Sequence, residues 1–165
     1  MEKQPTMEEL IEKVNKLKAT GELDLSMEED LSIAIMNLIS LEEHFFFTAE
    51  KTGKTKYLDL LVETREIRKD LLARLIDKHE GETWCVAKHL LATTMRLIEV
   101  GTKLQASGKK QKAKETFDQA YKTYSLFWGI RLKLVDVPKA KSKESKNQPM
   151  TYESIMNELV DCCKE

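Results

Sequence analysis

The chain has 165 residues, enough for one domain with a sizeable core. Its 27 Lys and Arg residues nearly balance 28 Asp and Glu, and the two signs are interleaved along most of the chain, which argues against a surface for nucleic acid or anionic lipid. No apolar run approaches the roughly 18 residues of a membrane span, and no signal peptide follows Met1. The three cysteines include an adjacent pair, a poor disulfide framework, so we expect a cytoplasmic protein.

Helical periodicity dominates the sequence. Thr6 and Glu9 have the spacing of a capping box, and Gly21 ends the apolar pattern that follows, which predicts a short first helix. Ser26 and Glu29 repeat the capping-box spacing at the start of a longer helix. With glycines as stop signals, the sequence predicts four long helices over about 26–51, 56–79, 82–106 and 110–134.

Four helices of similar length, joined by a few residues each, favour antiparallel neighbours. We therefore predict an all-α fold, an antiparallel up-down-up-down four-helix bundle with short N- and C-terminal accessory helices. In this prediction the N-terminal helix lies within 1–25, the bundle spans 26–136, and the charged, Ser- and Pro-containing stretch 137–150 is a mobile linker.

The last predicted element, within 151–165, is a helix with a compact apolar stripe. Such a helix must bury its stripe on its own bundle, on a twin subunit or on another protein. The sequence thus predicts a protein partner or self-association, with a homodimer as one form. The stripe consists of Tyr152, Ile155, Met156, Leu159, Val160 and Cys163.

Charged residues interrupt the apolar faces of the first two long helices. If these helices pair about the Gly53 turn, Glu42 lies level with Arg65 and within a turn of Arg68. Buried charges are tolerated when they are paired, so we predict a partly buried ion pair between Glu42 and one of the two arginines. The pair is either structural or part of a site that holds an anion or a substrate.

The third long helix is apolar around more than half of its circumference, which predicts that it is the most buried of the four. A polar strip covers the remainder. It faces either solvent or a cleft inside the bundle, and it consists of Cys85, Lys88, His89, Ala92, Arg96, Glu99 and Lys103.

The sequence contains no recognisable metal-binding motif. Di-metal carboxylate bundles use Glu-x-x-His pairs on two helices, and no Glu of this chain has a His three residues later. Cys-x-x-Cys spacing and Gly-rich phosphate loops are absent too. We predict no metal and no cofactor.

Two short motifs resemble those of known enzymes. Glu82-x-x-Cys85-x-x-x-His89 resembles the Cys-x-x-Cys-x-x-x-His motif of the alkylhydroperoxidase D family, with Glu82 in place of the first cysteine. The resemblance implies a Cys85 thiolate favoured by His89 and by the helix N-terminus, with Cys162 or Cys163 as resolving thiol. Arg74-x₄-His79 resembles the loosest form of the ribonuclease motif of HEPN domains.

A longer pattern spans the third and fourth long helices and resembles one tetratricopeptide repeat. Small residues stand where two helices approach, and larger ones pack the hairpin. One repeat cannot bury its own face, so the resemblance implies a tetratricopeptide-like hairpin within a bundle. The residues that carry it are Leu97, Val100, Gly101, Leu104, Gly108, Ala113, Phe117 and Ala120.

Because no catalytic motif is complete, the sequence favours a non-enzymatic protein-interaction or scaffolding module. The alternative is a small-molecule-binding protein or a thiol or redox enzyme with a polar site inside the bundle. Its catalytic candidates are Cys85, His89 and Glu99, and its ligand-binding candidates are Glu42, Arg65, Arg68 and Arg96.

Overall fold

A computed structural model describes residues 7–20, 24–76, 82–135 and 137. These residues are helical almost throughout, and they contain no strand. The fold is therefore all-α, as predicted. The helices are α1 (Met7–Ala19), α2 (Leu25–Thr52), α3 (Lys56–Leu75), α4 (Glu82–Ala106) and α5 (Lys110–Arg131).

Asp24 caps the N-terminus of α2. Its side chain accepts a hydrogen bond from the backbone N–H of Met27 at 3.1 Å, three residues later, in the usual N-cap geometry. The predicted cap at Ser26 is therefore wrong, because Ser26 already lies inside the first turn. Aspartate and serine cap helices about equally well, so the motif Asp-Leu-Ser-Met-Glu-Glu contains two competing signals.

Two glycines end helices as predicted. Gly53, at φ 66°, is the left-handed residue after α2, and its N–H donates to the carbonyl of Ala49 at 2.8 Å. Gly108, at φ 75°, follows α4 in a Schellman turn, in which Lys109 N–H donates to Leu104 O at 3.0 Å. Both turns are only a few residues long, so α2 with α3 and α4 with α5 form two helical hairpins.

The other two helix ends come earlier than predicted. The helix α3 ends at Leu75 because Ile76 adopts an extended backbone and buries its side chain in the core, at 3% exposure. The helix α5 ends at Arg131 in a second Schellman turn, with Lys133 at φ 54° and the N–H of Leu134 donating to Gly129 O at 2.8 Å.

The core lies where the two hairpins meet. The most extensive pairings are α2 with α3 and α4 with α5, and a smaller contact between α2 and α4 joins the hairpins. Buried side chains come from α2, α3, α4 and α5 and from the residue after α3. The cluster consists of Ile35, Met36, Leu72, Leu75, Ile76, Trp84, Cys85, Ala87, Leu91 and Phe127.

The third long helix, predicted to be the most buried of the four, is buried mainly in its first half. The buried side chains of α4 lie mainly between Trp84 and Thr94, whereas Ile98 and Val100 are 39% and 48% exposed. Only Gly101 is buried beyond Thr94, and it lies against the Phe117 ring of α5. Past Thr94, α4 contacts α2 through the half-exposed side chain of Arg96, which bonds to Ser40 and Glu43.

The first helix lies beside the end of α5, where Lys13 Nζ donates to the carbonyl of Lys133 at 2.7 Å. Of the described helices, none combines the length and the apolar composition needed to cross a lipid bilayer. The predicted linker and C-terminal helix lie outside the described residues, apart from Val137 within the linker range, as do Thr6, Gly21 and His79.

Candidate functional site

A buried ion-pair cluster joins α2 to α3. Glu42 Oε1 accepts from Arg68 Nε at 2.7 Å, and Glu42 Oε2 accepts from Arg65 Nε at 2.9 Å and from Arg68 Nη2 at 3.4 Å. The predicted ion pair is therefore present, and it involves both arginines. The side chains of Arg68 and Glu42 are 2% and 10% exposed, and that of Arg65 is 46% exposed.

This geometry follows from the hairpin. Gly53 reverses the chain, and Glu42 stands 11 residues before it while Arg65 stands 12 residues after it, so the two lie level on adjacent helices. Arg68 is one helical turn further along the same face of α3. Two guanidinium groups contact one buried carboxylate, so the cluster has a net positive charge, and Arg65 is its more exposed cation.

The cluster lies at the side of a cleft of about 450 Å³ between α2, α3 and α4. The cleft has apolar and polar parts. The apolar lining consists of Ile39, Phe46, Phe47, Leu61 and Ala92, and the polar lining of Glu42, Glu43, Arg65, Arg68, Lys88 and His89.

Two neighbouring aromatic rings stand at the mouth of this cleft. Phe46 and Phe47 are 46% and 58% exposed, and their centroids lie 5.2 Å apart at 69°, an edge-to-face pair. Single exposed apolar residues are ordinary, but adjacent phenylalanines beside a cleft form a larger apolar surface. Such surfaces are typical of binding sites.

Arg96 connects α4 to α2 next to the cleft. Its Nη2 lies 2.8 Å from Ser40 Oγ and 3.0 Å from Glu43 Oε2, and both charged side chains are about half exposed. An exposed pair of this kind contributes little stability. Its effect is to hold the Glu43 carboxylate, which lines the cleft, against α4.

The polar strip of α4 has three different environments. Cys85 is 2% exposed and belongs to the core. Lys88 and His89 both line the cleft, where Lys88 is half-buried and His89 is exposed. Glu99 is exposed and does not line the cleft. The structure therefore does not gather the catalytic candidates Cys85, His89 and Glu99 at one place. It does gather the ligand-binding candidates, with Glu42, Arg65 and Arg68 in the lining and Arg96 beside it.

Sequence reasoning missed the aromatic pair. Phe45, Phe46 and Phe47 are consecutive, and successive helical residues are about 100° apart. Three consecutive rings cannot all face one core. Phe45 is half-buried, with its ring centroid 6.4 Å from that of Tyr57, whereas Phe46 and Phe47 are exposed.

No group of three or more His, Cys, Asp and Glu residues within the described ranges is placed to hold a metal ion. Comparison of the chain with protein-family models, with curated proteins and with solved structures finds no match. The case for a function therefore depends on the geometry of the cleft.

Proposed function

We propose that this protein is a non-enzymatic interaction module whose α2–α3–α4 cleft binds a protein partner through an apolar side chain and a neighbouring carboxylate. The observation that carries the proposal is the exposed Phe46–Phe47 pair beside Arg65. Aromatic residues and arginine are enriched at the positions of protein interfaces that contribute most of the binding free energy.

The apolar part of the cleft suits an apolar anchor. Ile39, Leu61 and Ala92 lie deeper, and the exposed rings of Phe46 and Phe47 extend the apolar surface outward. Covering these rings removes apolar surface from water. Each Å² removed contributes about 25 cal/mol of favourable free energy. An inserted aliphatic or aromatic side chain would supply that cover.

Arg65 suits the carboxylate. Its Nε bonds to Glu42, and among the described residues its Nη1 and Nη2 have no hydrogen-bond partner. Because Glu42 is held in turn by Arg68, the guanidinium of Arg65 is oriented before any partner arrives. Arginine binds carboxylates through paired N–H donors, and preorganisation reduces the entropy lost on binding.

The proposal is tested by selecting peptides from a random 12-residue display library on the full chain. We expect the enriched peptides to contain Asp or Glu within a few positions of an aromatic or large aliphatic residue. Phe47→Ser and Arg65→Gln should each weaken the selected peptides by about tenfold or more, as interface anchors do.

The matched controls are Val62→Ser and Arg74→Gln, which alter exposed α3 residues that do not line the cleft. Circular dichroism checks that each variant keeps its helices. Peptides that bind Phe47→Ser and Arg65→Gln as tightly as the parent protein would contradict the proposal, and so would a selection without enrichment.

A small organic anion is the second candidate ligand, because about 450 Å³ lies within the usual size range of small-molecule pockets. Thermal melting with an aromatic carboxylate such as 3-phenylpropionate distinguishes a small organic anion from a protein partner as the ligand. A ligand that binds only the folded state raises the melting temperature by mass action. A rise that Arg65→Gln abolishes, without any selected peptide, would favour this candidate.

The thiol-enzyme alternative loses its geometric basis. The Cys85 thiol is buried in the core, and Cys85 is not among the residues that line the cleft. A nucleophilic or redox cysteine must reach its substrate as an accessible thiolate.

A further inference from the structure

A second cleft, of about 490 Å³, lies between the start of α2 and the end of α5. Its lining is mainly apolar and aromatic, with Glu29 as its one charged residue among those described. Tyr121 is 75% exposed at its edge, and Trp128 is half-buried in it. The aliphatic part of the lining is Leu25, Leu132 and Leu134.

The described chain ends beside this cleft. Leu132 and Leu134 line it, and the N–H groups of Leu134 and Val135 both donate to Gly129 O, at 2.8 and 3.0 Å. The turn after α5 is therefore fixed, and Val137 is the last described residue. Whatever follows begins within a few residues of the cleft.

The sequence that follows contains a matching element. From Tyr152 to Cys163 the apolar residues stand at i, i+3, i+4, i+7, i+8 and i+11, the pattern of an amphipathic helix that anchors in a groove. Glu153, Glu158 and Asp161 fall between them and would face water. An apolar stripe fits a cleft whose lining is nearly uncharged.

We infer that residues 151–165 dock as a helix in the cleft between α2 and α5 of the same chain. The 13 residues 138–150 can extend over at most about 45 Å, so they keep the segment near the cleft at an effective concentration in the millimolar range. This local concentration favours the chain's own segment over that of a second copy. The cleft between α2 and α5 is separate from the proposed partner site, and the two share no lining residue.

Disulfide trapping in the full chain tests the docking. Ser125 is exposed and lines the cleft, so Ser125→Cys places a thiol there, and Cys162→Ser leaves Cys163 as the thiol on the apolar stripe. Under mild oxidation with copper-phenanthroline and oxygen, we expect a bond within one chain, identified by peptide mapping and by mobility on a non-reducing gel. The control is Ser107→Cys, in the turn at the far end of α5, and it should trap about tenfold more slowly.

Three results are possible, and each decides the question. Fast trapping within one chain supports the inference. Covalent dimers at micromolar protein would show that a second copy supplies the segment, which overturns it. Trapping no faster than with Ser107→Cys would show that the cleft does not hold the segment, and that also overturns it.

A measurement without engineered thiols gives a second test. Acrylamide quenching in the full chain reports chiefly on Trp128, because Trp84 is 3% exposed. Leu159→Glu places a charge in the stripe and should raise the quenching constant about twofold, whereas Glu158→Gln, on the polar side, should not. Equal quenching in both variants would contradict the docking.

Discussion

The Arg68 guanidinium, whose side chain is 2% exposed, donates from Nε to Oε1 of Glu42 at 2.7 Å, across the interface between α3 and α2. This bond joins the interior of the first hairpin to the wall of the α2–α3–α4 cleft. It also orients the carboxylate that receives Arg65. The same contact therefore has a structural role and positions the cation at the cleft.

Removing Arg68 should be strongly destabilising. Arg68→Met leaves the Glu42 carboxylate buried with only the half-exposed Arg65 as partner, and breaking a buried pair from one side costs about 3–5 kcal/mol. Urea unfolding followed by circular dichroism measures the loss. The double variant Glu42→Leu with Arg68→Met should lose less than Arg68→Met alone, since no charge then stays buried unpaired.

Arg65→Met is the matched control for that experiment. Arg65 also bonds to Glu42, at 2.9 Å, but its side chain is 46% exposed, so its removal should cost no more than about 1 kcal/mol. Similar losses from Arg65→Met and Arg68→Met would show that burial does not separate the two arginines.

Gly101→Ala should destabilise the α4–α5 hairpin. Alanine in a helix interior usually gains about 0.5–1 kcal/mol over glycine. A Cβ at Gly101, however, would lie 2.7 and 2.9 Å from Cδ1 and Cζ of Phe117, so the ring must shift. Overpacking of this kind destabilises a protein by about 1–3 kcal/mol. We expect a net loss in thermal or urea unfolding.

The sign of that effect identifies its cause. In a Phe117→Leu background the ring is gone, and Gly101→Ala should become neutral or stabilising. If Gly101→Ala instead stabilises the parent protein, the two helices do not approach closely at this position.

Asp24→Ala should cost about 1 kcal/mol, because it removes the acceptor of the Met27 N–H. Ser26→Ala, inside the first turn, should change the free energy of unfolding by less than about 0.5 kcal/mol. Equilibrium unfolding of the two variants compares the cap with its neighbour. A larger loss of stability from Ser26→Ala than from Asp24→Ala would show that Ser26 is the N-cap and that α2 starts two residues later.

Cys85 should react slowly with thiol reagents in the folded protein. With Cys162→Ser and Cys163→Ser in place, we expect labelling by a disulfide reagent to be at least about 100-fold slower than in urea, because the 2% exposed thiol must wait for local opening. Labelling as fast as in the unfolded chain would show an accessible thiol and restore the redox hypothesis.

Local signals in the sequence predict much of the fold. Gly53 and Gly108 marked helix ends because a left-handed residue after a helix favours glycine, and both have positive φ. The pairing of Glu42 with the arginines followed from the Gly53 turn and helical periodicity alone. The starts of α3, α4 and α5 at Lys56, Glu82 and Lys110 agree with the predicted positions.

Side-chain environments were harder to predict. Cys85 and His89 are one turn apart on the same strip of α4, yet one is in the core and the other is exposed. The difference depends on which helix covers that strip, and α4 alone does not contain this information. Ile76 shows the same limit, because packing into the core overrides the helical pattern that predicted a longer α3.

The sequence by itself determined that the described chain is helical, where most of its helices begin and end, and which charges meet across the first hairpin. Those features depend on contacts within a few turns or across one short loop. The tertiary structure decided how the two hairpins meet, and so which residues line each cleft. The physical reason is that burial depends on the distant surfaces that cover a side chain, whereas capping and periodicity are local.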